Sequence, residues 1–431
     1  MRGYVIKLIG LIFVSFLVLS PVSLARRVNV PQISQNEIFD EINNLIKQAE
    51  DALAIEDSAL ALTYLDAVTS SSSSLDDPLE KASILARVSS LYQKIDSDAK
   101  AGRCIEETKE LLAQCKGIAL NIKDDITRAL CFARIARCYS LIGDLAGQNS
   151  SMGQVSTIMH NMSNDDIANI DIDRFRDLAS LMVSSYQEHD SFIFKGSFLQ
   201  EFLTEMDQVR VYFKNHGGGI KLARCEEMVA FLYDRLGSYN QAIKFYKLAA
   251  HRYENIDTYI SAELSFRAAE LCLKIYNSGG ENNIDERDGA AKSFALASHS
   301  YESTKEWEKA SESAERAFEI NRDRGSYNLA SRSILWAAVN MRRYAKDTGK
   351  AEDYMKEASL WVMRGDILRE YGQEIVEIDA REAMINSYEE ATAAYEEAYS
   401  IYRENSNLEG MRETIVARER AAGYLESVLL N

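Results

Sequence analysis

The chain has 431 residues, 46% of them hydrophobic and 27% charged, with only three prolines. That is too apolar for a disordered chain, and the composition suits a long run of helices. The 66 acidic against 49 basic residues give a formal charge of −17, which argues against a general nucleic-acid binder because phosphates need a basic footprint.

Arg2 and Lys7 precede an apolar stretch from Leu8 to Leu19, then Pro21, then Ser23-Leu24-Ala25. Basic, apolar and small-residue segments in that order predict a secretory signal peptide over 1–25, cleaved after Ala25. The apolar stretch falls short of the roughly 20 residues that span a bilayer. An uncleaved N-terminal anchor is the alternative. No later segment is apolar enough to cross a membrane, so the mature chain is expected outside the cytoplasm, periplasmic or secreted, and not inserted in a bilayer.

A polar lead over 26–36 is followed by a helix pair at 36–54 and 57–68 and a five-serine linker, 70–74. Asp77-Pro78-Leu79-Glu80 then restarts a helix: Asp caps, Pro takes the first helical position and Glu reaches back. Helices are expected at 77–94, 98–119, 124–142, 147–161, 171–189, 194–214, 220–236 and 239–254. Turn signals such as Gly143-Asp144 and Gly217-Gly218-Gly219 separate them. Tyr92, Tyr139, Tyr186 and Tyr233 stand one 47-residue step apart, each followed four residues later by Asp96, Gly143, Asp190 or Gly237. Four residues before them come Val88, Ile135, Met182 and Val229, and three before them Ser89, Ala136, Val183 and Ala230. Fixed-period self-similarity marks an array of stacked repeats.

The period breaks between Ile256 and Asp288, where an extra helix near 257–276 and a polar loop from Asn277 to Asp288 are expected as an irregular junction. The array divides accordingly into 37–255 and 289–431. Later helices are expected at 289–304, 306–322, 327–346, 351–369, 374–386 and 388–405, with 408–429 closing the end.

Within this pattern Arg224 to His251 resembles a tetratricopeptide repeat. Ala230, Tyr233, Gly237, Tyr239, Ala242, Tyr246 and Ala249 fall on its small, aromatic, turn-glycine, aromatic, small, aromatic and small positions. Phe294, Ala297, Ser298, Tyr301, Trp307, Ala310, Ala314 and Ala317 form a second match. Phe132, Ile135, Ala136, Tyr139 and Gly143 form a third, and Leu85, Val88, Ser89, Tyr92 and Ala101 a fourth. The usual step in that family is 34 residues, so the helices or turns are longer here. The resemblance implies an all-α, right-handed α-solenoid of antiparallel helix hairpins, about 16–18 helices in all.

It also implies a groove lined by the first helix of each pair. Groove positions carried over by their offset from each tyrosine are Lys94, Arg137, Gln187, Arg224, Glu227, Phe231, Asp234, Arg235 and His299. Arg224, Glu227, Phe231 and Arg235 make the most mixed patch, able to offer a ring and salt-bridging groups to a peptide. The family's carboxylate clamp is not reproduced, since its lysine position holds Ala86, Ala133, Ser180 and Glu227.

Chemistry is sparse. Cys104 and Cys115 on one expected helix face Cys131 and Cys138 on the next, which leaves disulfides and buried thiols both open. His216-Gly217-Gly218-Gly219 is similar to an oxyanion-hole stretch, but the nucleophile elbow that must accompany it is absent. The five histidines, at 160, 189, 216, 251 and 299, never reach zinc-site spacing, and no phosphate-cradling loop occurs. No catalytic, metal or cofactor residue is therefore expected. The expected role is a non-enzymatic scaffold for a protein or peptide partner, the alternative being a self-associating structural subunit of an envelope or secreted complex.

Overall fold

A computed structural model describes residues 35–187, 192–279, 284–375 and 379–430. The expected leader, the polar lead up to residue 34, His189 and the side chain of Gln187 lie outside the described residues. Those residues contain helices and no strand. They divide between two compact units, 1–76 and 77–431.

The first unit holds α1 (Gln35–Ala54) and α2 (Ser58–Ser72). Ile42, Ile46 and Ala49 of α1 and Ala61, Leu65 and Val68 of α2 are buried at helical spacing. Asp57 caps α2 by accepting from the Leu60 N–H. The serines expected as a linker instead prolong α2. Ser72 and Ser73 turn their hydroxyls back onto the carbonyls of Thr69 and Ser70, at 2.8 and 2.7 Å, which lets them sit in a last helical turn.

The second unit continues with α3 (Pro78–Lys94), α4 (Asp98–Ala119), α5 (Asp125–Leu141), α6 (Leu145–His160), the short α7 (Asn164–Ala168), α8 (Ile172–Gln187), α9 (Phe192–Asn215), α10 (Gly219–Arg235) and α11 (Tyr239–Tyr253). It goes on through α12 (Thr258–Gly279), α13 (Ile284–Ser303), α14 (Trp307–Asp323), α15 (Tyr327–Thr348), α16 (Ala351–Tyr371), α17 (Ala380–Glu404) and α18 (Leu408–Leu430). Successive helices pack on one another except at the short α7, where α6 packs on α9, and α3, α5, α8 and α10 also touch side by side. This is the helical-repeat solenoid that the tyrosine period predicts.

The period itself is a turn. Asp96, Gly143 and Gly237, each four residues after its tyrosine, have φ of 54°, 75° and 75°. The next N–H in each case, from Ser97, Asp144 and Ser238, returns 2.9 Å to the carbonyl of Tyr92, Tyr139 and Tyr233. That six-to-one bond with a left-handed residue inside it is the Schellman closure, which satisfies a carbonyl orphaned at the helix end. Tyr301 closes onto Glu306 the same way at 3.0 Å, with Lys305 at φ 65°, and Tyr402 onto Asn407 at 2.9 Å, with Ser406 at φ 55°. Beyond the turn the ring needs small neighbours. Ala101, Ala242 and Ala310, nine residues after their tyrosines, are buried, and a Cβ on Gly147 would stand 2.4 Å from the Tyr139 ring.

The extra helix expected after Ile256 is α12, and three other elements differ from their expected form. Helix α12 packs on both α11 and α13, so the alternation runs on without a break. Its insertion moves the period tyrosine from α10 to α13, two helices of opposite place in the alternation. Helix α13 starts at Ile284, ahead of the expected 289. Helix α17 is continuous where two helices were expected, because the Ser387 hydroxyl donates to the Ala383 carbonyl at 2.6 Å and needs no turn. The unexpected α7 owes its start to a reciprocal capping box between Ser163 and Asp166.

Candidate functional site

Three helices that lie side by side, α8, α10 and α12, with α11 behind them, enclose a cleft of about 530 Å³. Helix α10 supplies its centre. Glu227, Phe231 and Asp234 recur at the i, i+4 and i+7 spacing that puts side chains on one face, and Arg235 borders them. The cleft floor includes Met228, Leu264 and the Tyr246 ring.

Its charges are mostly committed. Asp234 is buried and pairs with Arg267 of α12, at 2.8 Å from Nη2 and 3.3 Å from Nε. Arg267 also holds Glu270 at 2.9 Å. Burial opposes the Arg267 cation, but these two carboxylates outweigh it and keep its pKa above the ordinary value. Glu263 of α12 pairs with Lys309 at 2.6 Å. Glu227 is held by the Tyr253 hydroxyl, which donates to it at 3.2 Å. Burial pushes the Glu227 pKa up, against the pull of Tyr253, Arg176 and Arg224. Burial and then Asp234 raise the Tyr246 phenol to about 12, so it stays a neutral donor.

Two guanidiniums of the cleft make no salt bridge among the described residues, although Arg176 acts on Glu227 at longer range. Arg176, exposed on α8, lines the cleft. Arg235, exposed on α10, lies over the Phe231 ring at 5.1 Å. A half-buried ring with a cation on it, flanked by another cation and an apolar floor, can seat an apolar side chain and orient acidic or carbonyl groups around it.

The structure therefore brings Glu227, Phe231, Asp234 and Arg235 together. Arg224 stands next to them but turns to Asp173 of α8 at 2.9 Å. Lys94 is exposed at the end of α3 and Arg137 exposed on α5, away from the cleft. His299 lines a separate cavity of about 220 Å³ between α13, α14 and α15, because α12 shifts the period onto the alternate helices.

Arg176, Arg267 and Leu264 were not reached by sequence offsets. Arg267 and Leu264 sit on α12, which carries no period tyrosine and so no register. Arg176 did carry a signal: its column, ten residues before each tyrosine, otherwise holds Ala82, Ala129 and Ala223, all fully buried. A guanidinium cannot take that place, and α8 turns it outward.

The remaining motifs are structural. All six cysteines are free. Burial raises Cys115 to about 11 and Cys138 and Cys225 to about 12, so these thiols behave as small apolar residues. The His216 ring stacks on Tyr212 at 4.2 Å. Gly217, at φ 72°, and Gly218, whose N–H returns 2.8 Å to the Phe213 carbonyl, make another Schellman turn. Among the described residues no group of three His, Cys, Asp or Glu is placed to hold a metal ion, and no helix is long and apolar enough to cross a membrane.

No protein-family model matches the chain, and no curated protein matches it. Solved structures with some likeness include the apo form of RapI, at 13% identity and a TM-score of 0.35, covering 90% of this chain and 99% of that one. Another is Ton1535 from Thermococcus onnurineus NA1, at 12% and 0.35, covering 90% and 98%. A third is the signal-transduction ATPase PH0952 from Pyrococcus horikoshii, with a tetratricopeptide repeat sensor, at 14% and 0.25, covering 94% and 55%. Likeness this weak tells nothing of ligand or activity.

Proposed function

We propose that the chain is a non-enzymatic interaction scaffold, exported from the cytoplasm, whose α8–α10–α12 cleft holds an extended segment of a partner protein. The observation that carries this reading is Phe231, set into a cleft of about 530 Å³ whose buried Asp234 is already paired with Arg267. A bound segment then meets a preorganised surface: an apolar side chain against Phe231, Met228 and Leu264, and polar groups towards Arg176 and Arg235. Rigid helices spare the ordering cost that a loop-built site carries. Repeat arrays bind through such contiguous surfaces and need no covalent chemistry. Export rests on the arrangement of Arg2, Lys7, the Leu8–Leu19 stretch and Ser23-Leu24-Ala25.

A photo-crosslinking amino acid at position 231, compared with one at exposed Leu145 of α6, tests the site in the native host. A discrete adduct from position 231, absent from position 145 and lost in Arg235→Glu, is expected. Adducts of equal yield from both positions, or none from 231, would refute the cleft as the binding surface. N-terminal sequencing of the mature chain is expected to begin at Arg26.

A further inference from the structure

We propose that the cavity between α13, α14 and α15 is a second docking site, independent of the cleft, which receives one arginine or lysine side chain of a partner protein against Trp336.

The chain has three tryptophans, and two of them show how this molecule completes an indole. Trp307 donates its Nε1–H to Asp347 at 2.9 Å and carries the Arg343 guanidinium 4.9 Å above its ring. Trp361 donates to Glu357 at 3.2 Å and carries Arg342 at 5.1 Å. Trp336 has neither an acceptor nor a cation among the described residues. It is 46% exposed and stands at the wall of the cavity. The electron-rich face that attracts a guanidinium in the other two is open here.

The cavity has room for the stem of one long side chain. Its floor is Ala314 and Ala317, both buried, and its sides include Ser298 and Ser333. No bulky aliphatic residue fills its volume of about 220 Å³. A methylene stem can lie along such a floor while its charged head stays at the mouth. Glu302 lines the same cavity. One of its oxygens binds Arg343, while the other has only His299 Nδ1, at 3.9 Å, so the carboxylate can accept from a second cation. The formal charge of −17 draws basic segments towards the chain as a whole. An acidic occupant could accept from the Trp336 Nε1–H as Asp347 and Glu357 do from the other two indoles, but Glu302 would repel it, and an apolar occupant would leave Glu302 unmatched.

The test uses the full chain labelled with ¹⁵N, whose three indole N–H resonances report each tryptophan separately. Trp336→Phe identifies its resonance by loss, and Trp336→Tyr serves if that variant does not fold. The titrants are a short Gly/Ser peptide with one central arginine and its counterparts with glutamine or glutamate. Saturable movement of the Trp336 resonance alone is expected with the arginine peptide, at an affinity about tenfold above the glutamine peptide. Glu302→Gln should weaken it several-fold. An unmoved Trp336 resonance, equal movement with glutamine or glutamate, or movement confined to Trp307 and Trp361 would overturn the proposal. None of these results bears on the Phe231 crosslink, so the two sites stand or fall separately.

Discussion

The α8–α12 and α13–α15 stretches line their concavities differently, although ion pairs and hydroxyl-to-carbonyl bonds join helices in both. In the first, long charged side chains reach across: Asp234 to Arg267 at 2.8 Å, and Glu226 of α10 to Arg252 of α11 at 2.5 Å. In the second, ion pairs also cross, from Arg343 to Glu302 and from Arg287 to Asp323, but small residues border most of the cavity. The Ser298 hydroxyl donates to the Ala310 carbonyl at 2.7 Å, and that of Ser311 to Ala337 at 2.9 Å, between helices floored by Ala314 and Ala317. Charged pairs need room and leave a wide cleft with polar walls. Small side chains along the lining let the helices close up and leave the smaller cavity. The same repeat plan thus makes two kinds of concavity, and the difference lies in side-chain length.

The largest expected effect tests the charged mode. Glu226 is 1% exposed while Arg252 is 36% exposed, so the two partners are not equivalent. Arg252→Ala strands a buried carboxylate and is expected to cost about 3 kcal/mol. Glu226→Ala frees an arginine that water can reach, and is expected to cost about 1 kcal/mol. Urea unfolding measures both. Equal costs would mean that Glu226 gains its hydration some other way and that the pair does not hold α10 to α11.

The small-residue mode predicts sensitivity to volume instead. Ala337→Leu adds three carbons to a fully buried position that does not line the cavity, beside the Ser311 contact, and is expected to cost about 2 kcal/mol through overpacking. An unchanged urea midpoint would show that α14 and α15 can part freely at this contact. The corresponding change at the rim of the cleft, Ser180→Leu on an exposed residue of α8, should move the midpoint little.

How far this was legible from sequence follows from what each feature depends on. The solenoid and its turns could be read because Tyr92, Tyr139, Tyr233 and their left-handed partners act locally, within six residues of chain. The centre of the cleft could be read because Glu227, Phe231 and Asp234 share one helix face. Its far wall could not, because Arg267 is brought in by packing and α12 lacks the tyrosine that numbers the other helices. Trp336 escaped notice for a related reason. It sits on α15, where the period has lapsed, and what marks it is the absence of partners that only coordinates reveal.

The turns allow a finer comparison between the halves of the array. Gly237 closes the α10 turn at φ 75°, whereas Lys305 closes the α13 turn at φ 65°. A Cβ in that region is disfavoured. Gly237→Ala is therefore expected to cost about 1 kcal/mol, and Lys305→Gly to gain about 0.5 kcal/mol, less because glycine also loosens the unfolded chain. Thermal unfolding should rank them so. A destabilised Lys305→Gly would mean that the lysine side chain holds the turn by contacts worth more than its strain.

The smallest effect concerns protons in the cleft. The folded state raises the Glu227 pKa above its ordinary 4.5, with burial as the main cause. A carboxyl raised in this way contributes stability that is present below the ordinary value and is lost as pH rises through it to the folded value. The unfolded chain releases this proton first, so the folded state is penalised over that window and the penalty stays constant above it. Glu227→Gln keeps an acceptor for Tyr253 and removes the ionisation. Its urea midpoint relative to the unsubstituted chain is therefore expected to rise between pH 4 and pH 7. The shift should be small, because Tyr253, Arg176 and Arg224 already favour the charged form. Glu357, raised by burial in the same sense, is common to both chains and cancels. A midpoint that falls with pH would mean that ionised Glu227 is stabilised by its neighbours beyond the cost of burying it. The cleft would then present a fixed negative charge to its ligand beside Phe231, and the segment it holds would have to carry a donor at that place.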